Sequence, residues 1–302
     1  MHGEGATAIA HESVGMKYVL ITPARNEARF IERTIASVVA QTVRPEKWVI
    51  VSDGSTDATD ELVAKHVVLH PWIELLRRPV RRDRHFAGKV HAFNAGLEAI
   101  RGIDYEVIAS LDADISLDPE HFEFLLAKLA ADDRLGLVGT PFKDRFMYDY
   151  RFVSIEHVSG ACQVFRRECF EDIGGYVAVK CGGIDHIAVL TARMKGWRTR
   201  TFTEKVSLHH RDIGSAEHTV IAAKFRTGAL DYALGAHPLW EVCRTAYQMT
   251  RTPVVVGGLA LAAGYFWSMA RRIERPVSPE LVEFRRREQM QRLKQFLASR
   301  AA

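Results

Sequence analysis

Between residues 17 and 140, short apolar runs alternate with amphipathic stretches, joined by short loops. Tyr18-Val-Leu-Ile-Thr22, closed by Pro23, has the make-up of a buried strand. Phe30, Ile31, Ile35, Val38 and Val39 then recur at helical spacing. Trp48-Val-Ile-Val51 reads as a second strand, and Ser55 or Asp57 as the cap of a helix reaching about residue 66. A third, weaker strand is predicted at 72–76, a helix at 90–100, a fourth strand through Val107, Ile108, Ala109 and Leu111, and a fifth at Leu135-Gly-Leu-Val138. Asp118-Pro119 sets an N-cap before a proline at the first helical position, opening a helix through Leu129. Such alternation admits few folds. Strands covered by helices on both faces form a mostly parallel sheet, and its ligands bind beyond the carboxyl ends of the strands.

Three polar clusters follow strands, at 23–27, 52–57 and 112–114. Parallel strands bring all three to one edge of the sheet. In the last cluster, Asp112 and Asp114 are two residues apart in extended backbone, so both carboxylates face one space. Two anions there need a cation, and hard divalent ions such as Mg²⁺ or Mn²⁺ take such oxygens, often sharing them with a substrate phosphate. A lone Asp-x-Asp is also an ordinary solvated turn; convergence with the other two clusters favours a site.

Composition narrows the classes. The chain has 302 residues, 47% of them hydrophobic and 26% charged, which fits one large α/β domain with an appendage. A net charge of +4 is too mild to imply nucleic acid, and no nucleic-acid partner is expected. Cys162, Cys169, Cys181 and Cys243 form no C-x-x-C pair and no zinc spacing, as reduced thiols of a cytosolic compartment would. Residues 1–16 lack the features of a signal peptide and read as a disordered leader.

Between residues 17 and 210 the chain resembles the family-two inverting glycosyltransferases of the GT-A fold, within the nucleotide-diphospho-sugar transferase superfamily. The resemblance rests on Ile21-Thr-Pro-Ala-Arg-Asn-Glu27, Val51-Ser-Asp-Gly-Ser-Thr-Asp57, Gly88-Lys89 with Asn94-Ala-Gly96, and Leu111-Asp-Ala-Asp114. Ser159-Gly-Ala161, Gly174-Gly-Tyr176 and Lys195-Gly-Trp197 follow in the same order. Each motif is short, and their order and spacing make the combination specific. The resemblance implies a GT-A domain over 17–214, a nucleotide-diphospho-sugar donor with a UDP-sugar foremost, and Mn²⁺ or Mg²⁺ as cofactor.

It also implies roles. Asp53 corresponds to the carboxylate that accepts hydrogen bonds from the base, though an Asx-turn accounts for it equally. Pro23, Ala24, Asn26 and Glu27 line the nucleoside pocket, with helix capping the alternative for Asn26 and Glu27. Lys89 and an arginine of the basic loop 77–84 neutralise the diphosphate. Asp112 binds ribose or reaches the metal through water, and Asp114 holds the metal directly. The acceptor base of the family matches Asp185, in Gly182-Gly-Ile-Asp-His-Ile-Ala188, where Ile184 replaces the usual glutamate and an N-cap is the alternative role. His186 beside it faces the acceptor or is structural. After a short strand at 205–208, His209 or His210 supplies a further metal ligand, with His209 preferred, and Arg211 contacts phosphate.

Beyond 211 the motifs stop, and the Gln-x-x-Arg-Trp signature of processive synthases is absent. A helical extension is expected over 215–302, with helices at 216–234 and 239–249 and a charged helix at about 280–297. The uncharged segment 253–270 has about the shortest length that spans a bilayer as a helix. The tail from 271 carries nine Arg or Lys against four Glu, which disfavours export and fits a peripheral or monotopic helix with a basic collar. A buried helix is the alternative. The expectation is a metal-dependent inverting glycosyltransferase on the cytoplasmic face of the cell membrane, or soluble in the cytoplasm. It transfers to a saccharide or lipid-linked acceptor in envelope or exopolysaccharide synthesis. Rival readings are a sugar-1-phosphate nucleotidyltransferase, which needs a glycine-rich loop that 23–27 lacks, and a non-catalytic GT-A-like subunit of a membrane complex.

Overall fold

The computed structural model describes residues 15–80, 86–143, 154–211 and 220–301. Most of the leader, Arg81, Arg82 and Arg84 of the basic loop, and the first residues of the helix expected from 216 lie outside the described residues.

The first half runs β1 (Tyr18–Ala24), α1 (Ile31–Val39), β2 (Lys47–Asp53), α2 (Thr59–Leu69), β3 (Ile73–Arg78), α3 (Ala87–Ala99) and β4 (Val107–Leu111). It continues through β5 (Ile115–Ser116), α4 (His121–Ala130), β6 (Leu135–Gly139), β7 (Phe142–Lys143) and β8 (Cys162–Arg166). Then come α5 (Arg167–Asp172), α6 (Ile184–Met194), β9 (Arg198–Thr201) and β10 (Ser207–His209). The last third is helical: α7 (Val220–Ala233), α8 (Pro238–Met249), α9 (Val256–Ala270) and α10 (Pro279–Ala301).

The main sheet has the order β3-β2-β1-β4-β8-β6-β9. β3, β2, β1 and β4 are mutually parallel, β8 is antiparallel to both its neighbours, and β6 and β9 are parallel. This is the mixed, mostly parallel α/β sheet of the GT-A fold. Alternate residues of the central strands feed opposite faces. Leu20, Ile50 and Ala109 pack under α1, α2 and α4, whereas Ile21, Val49 and Ile108 pack under α3, α5 and α6. The apolar runs are continuous because both faces are covered.

Strand order creates the crevice. The chain moves outward from β1 to β2 and β3, then returns through α3 to β4 on the other side of β1. At that reversal the loops after β1 and β4 part, and ligands of open α/β sheets bind in such a gap. A second sheet, β5-β10-β7, lies beyond it; its pairing of His209 with Ile115 brings the β10 end beside the Asp112–Asp114 turn.

Two helix starts differ from the sequence expectation. Asp118 accepts from the Glu120 amide at 3.1 Å and α4 begins at His121, because the proline turn completes before the helix does. Asp57 accepts from the Thr59 amide at 3.0 Å, in a turn just before α2.

The uncharged segment expected over 253–270 forms a helix of 15 residues. At about 1.5 Å per residue it falls short of the roughly 30 Å hydrocarbon core. No helix among the described residues is long and apolar enough to cross a membrane. Its glycines serve packing instead. A Cβ on Gly264 would lie 1.9 Å from the Phe225 carbonyl oxygen, and one on Gly228 would lie 1.9 Å from that of Leu261. Thus α7 and α9 cross backbone to backbone. Leu234 and Leu281 of the extension join Val90, Ile184, Ile187 and Leu190 in one cluster, so the extension supports the first turn of α6. Arg285 of α10 donates to Asp231 Oδ1 at 3.0 Å, and Arg193 of α6 pairs with Glu288.

Candidate active site

Asp112 and Asp114 leave β4 at the crevice, where the sequence reading put them. The ammonium of Lys89, in the first turn of α3, pairs with Asp112 Oδ1 and donates to the Gly160 carbonyl at 3.3 Å. The Gly160 amide in turn donates to Asp185 Oδ2 at 3.1 Å. Residues more than ninety positions apart, from Lys89 to Asp185, therefore form one polar chain. A Cβ on Gly160 would lie 3.0 Å from the Asp185 Cβ, so the glycine permits this approach. Gly160 thereby gives the motif Ser159-Gly-Ala161 its role.

Asp185 lies in the first turn of α6, behind Gly183, whose φ of 79° suits glycine alone. Its own carbonyl accepts from Gln163 at 3.4 Å, and Gln163 accepts from Tyr176 Oη at 2.7 Å, which gives Gly174-Gly-Tyr176 its purpose. His186 turns to His157, their rings 5.4 Å apart, and burial drives the pKa of His186 well below its ordinary value.

On the other bank of the crevice, Pro23 and Ala24 end β1. Asn26, at φ 56°, accepts from the Thr56 amide at 2.8 Å and its own amide donates to Ser55 Oγ at 3.1 Å. It ties the loop after β1 to the loop after β2. The Glu27 amide donates to Thr59 Oγ1 at 2.8 Å, and its carboxylate pairs with Arg211. Burial raises the Glu27 pKa to about 7; Arg211 opposes the rise and Asp114 adds to it. Asp53 is buried at the end of β2 and accepts from Arg78 at 2.8 Å. Arg78 comes from the basic stretch but sits on a strand, in register with Asp53, and not against Lys89. That partnership was missed; the parallel pairing of β2 and β3 is its only signal.

His209 and His210 separate cleanly. His209 Nε2 lies 3.4 Å from Asp114 Oδ2, whereas His210 Nε2 lies 2.9 Å from Ser116 Oγ and its ring stacks on Phe30. Arg211 Nε lies 3.1 Å from the same Asp114 oxygen. Burial works against the charge of Asp114, but His209 and Arg211 together outweigh it and hold the carboxyl below its usual range. Asp112 is pushed the other way by burial, with Lys89 opposing and Asp114 adding.

No group of three or more His, Cys, Asp or Glu side chains among the described residues forms a metal cage. Asp114 and His209 nevertheless offer an oxygen and an imidazole nitrogen on one point. That is a fitting partial donor set for a divalent ion whose remaining ligands are substrate phosphates and water. Arg211 carries the positive charge beside Asp114 in this structure.

Comparison with known proteins agrees with this architecture. The sequence model described as Glycosyl transferase family 2 matches residues 19–156. Poly-beta-1,6-N-acetyl-D-glucosamine synthase of Staphylococcus aureus is 31% identical over 117 residues, which are 38% of this chain and 26% of the synthase. The chain spans about a third or less of the length of the curated relatives it matches. A mannosyltransferase of Pyrobaculum calidifontis, solved with GDP-Man and Mn²⁺, superposes with a TM-score of 0.57 at 20% identity, covering 88% of this chain and 77% of that one. TarS 1–349 of S. aureus, solved with UDP-GlcNAc, gives 0.54 at 14% identity, covering 86% and 74%. Residues 19–156, which carry the first strands of the sheet and the crevice loops, thus match the family 2 glycosyltransferase model, and the fold is that of GT-A glycosyltransferases.

Proposed function

We propose that this protein is a metal-dependent inverting glycosyltransferase. It moves a sugar from a nucleotide-diphospho-sugar, a UDP-sugar foremost, to a saccharide or lipid-linked acceptor in envelope or exopolysaccharide synthesis. The observation that carries the reading is the polar chain Asp112–Lys89–Gly160–Asp185, which joins a donor-side carboxylate to an acceptor-side carboxylate across one crevice.

In this reading Asp53, its charge held by Arg78, accepts from the base, and Pro23, Ala24, Asn26 and Glu27 form the wall beside the nucleoside. Asp112 meets the ribose, and Lys89 and Arg211 neutralise phosphate oxygens. Asp114 and His209, with Asp112 alongside, would hold Mn²⁺ or Mg²⁺, which supplies positive charge to the departing diphosphate. Asp185 takes the proton of the acceptor hydroxyl. That oxygen bonds to the anomeric carbon from the face opposite the nucleotide, the carbon–oxygen bond to the diphosphate breaks, and the configuration inverts. The Mn²⁺ and nucleotide sugars of the two solved neighbours, and the polysaccharide product named for the synthase, support this assignment.

The reading includes a peripheral contact with the cytoplasmic face of the cell membrane. On α9 the stripe Val256, Leu259, Ala263 and Trp267 is exposed and uncharged, while Gly257, Gly258, Leu261, Gly264 and Tyr265 are buried. Arg251, Arg271 and Arg272 flank it, and Arg271 stacks over Trp267 at 4.7 Å. An apolar outer face with basic ends suits an anionic lipid surface.

Thermal-shift titration of nucleotide sugars with Mn²⁺, followed by transfer assays, tests the whole. A UDP-sugar should raise Tm, and Asp185→Asn should keep that shift while losing transfer. Persistent transfer by Asp185→Asn overturns the base; no shift with any nucleotide sugar overturns the donor site.

A further inference from the structure

Phe86 stands out beside the crevice. It is 61% exposed, although large aromatic side chains are usually tucked away. It caps the amino end of α3, and its carbonyl accepts from the Lys89 amide at 3.0 Å. The ring lies against Gly182, where a Cβ would come within 3.3 Å of two ring carbons. Gly182, at φ 94°, lies three residues before Asp185. One turn further along α3, Val90 packs with Ile184 in a shared cluster. The first turn of α3 is thereby clamped to the first turn of α6. Lys89 reaches Asp112 and Gly160 from it, and Phe86 rests on the glycine loop that leads into Asp185.

From this juxtaposition we infer that Phe86 is the stacking platform for the acceptor: its open face binds the C–H face of a pyranose ring whose hydroxyl is presented to Asp185. The inference rests on the glycosyltransferase reading and adds an acceptor-binding residue to it. A saccharide hydroxyl at Asp185 leaves the rest of its ring beside the Gly182 loop. There a rigid apolar surface costs little ordering entropy and accepts an axial C–H face. Fixed by Gly182 and by the helix start, Phe86 holds its orientation without a hydrogen bond. The packing explains Gly182 as well, because a side chain there would push the ring away.

The test uses the full chain with Mn²⁺, UDP-GlcNAc as donor and N-acetylglucosamine oligosaccharides as acceptors. Phe86→Ala should raise the acceptor KM by about five- to tenfold, the loss of one aromatic stacking contact. The Kd for UDP, measured by calorimetry, should stay within about twofold. Phe86→Trp should restore the acceptor KM, which a merely structural residue would not do. Saturation-transfer difference spectra of the oligosaccharide should light the protons of one pyranose face in the wild type and lose them in Phe86→Ala. An unchanged acceptor KM, or equal losses of acceptor and UDP binding, overturns the platform. Failure of the wild type to bind UDP, by contrast, overturns the donor reading beneath it.

Discussion

Asp185 accepts the Gly160 amide hydrogen at 3.1 Å, and the same glycine's carbonyl accepts from the ammonium that neutralises Asp112. One residue thus sets the distance between the acceptor side and the donor side. Gly160→Ala places a methyl 3.0 Å from the Asp185 Cβ, and the carboxylate must shift. Transfer is expected to fall about tenfold to a hundredfold, as small misplacements of a base do. Nucleotide binding by calorimetry should change little.

Asp114 and His209 share one point of the crevice. Titrating metal-stripped protein with Mn²⁺ and following the free-ion EPR signal should report binding that is lost in Asp114→Ala and weakened in His209→Ala. His210→Ala should keep the ion, because that ring is bonded to Ser116. Equal Mn²⁺ affinity in the wild type and Asp114→Ala would refute the donor set.

Glu241 of α8 is fully buried, and neither carboxylate oxygen has a hydrogen-bond partner among the described residues. Burial pushes its pKa up to about 7, with Arg285 opposing. The native state then binds the proton more tightly than the unfolded chain. Relative stability is therefore greatest below pH 4.5, the ordinary value, and is lost as pH rises to about 7. Glu241→Gln should raise Tm at pH 8 by an amount worth about 1–3 kcal/mol, and the gain should shrink toward pH 5. A constant difference across that range would refute it.

Sedimentation with phosphatidylglycerol-containing vesicles probes α9. Leu259→Glu and Trp267→Glu, both at exposed positions, should each weaken binding by about tenfold. Reversal of Arg271 or Arg272 should cost about 1 kcal/mol per charge and disappear at high salt. Wild type that stays in the supernatant would remove the membrane contact.

Much of the sheet was legible. β1, β2 and β4 are buried on both faces, so their apolar runs are unbroken, and the polar clusters that end them stand out. β8 shows where legibility stopped. No strand is expected from the sequence at 162–166, and the antiparallel insertion of β8 between β4 and β6 depends on pairing partners distant in sequence. Likewise the uncharged segment 253–270 reads as membrane-compatible, and only the crossing with α7 gives its glycines a packing role.

The sequence by itself determined the α/β alternation, the carboxylates that converge on one sheet edge, and Asp185 at a helix start, because these follow from local periodicity and side-chain chemistry. Tertiary structure alone decided that the His209 ring and not the His210 ring reaches the Asp114 carboxylate, that Arg78 holds Asp53, and that Gly160 bridges Lys89 to Asp185. Each is a contact between distant positions set by strand register and helix placement. A shift of one residue in β10 would exchange the two histidines, and local sequence carries no trace of that choice.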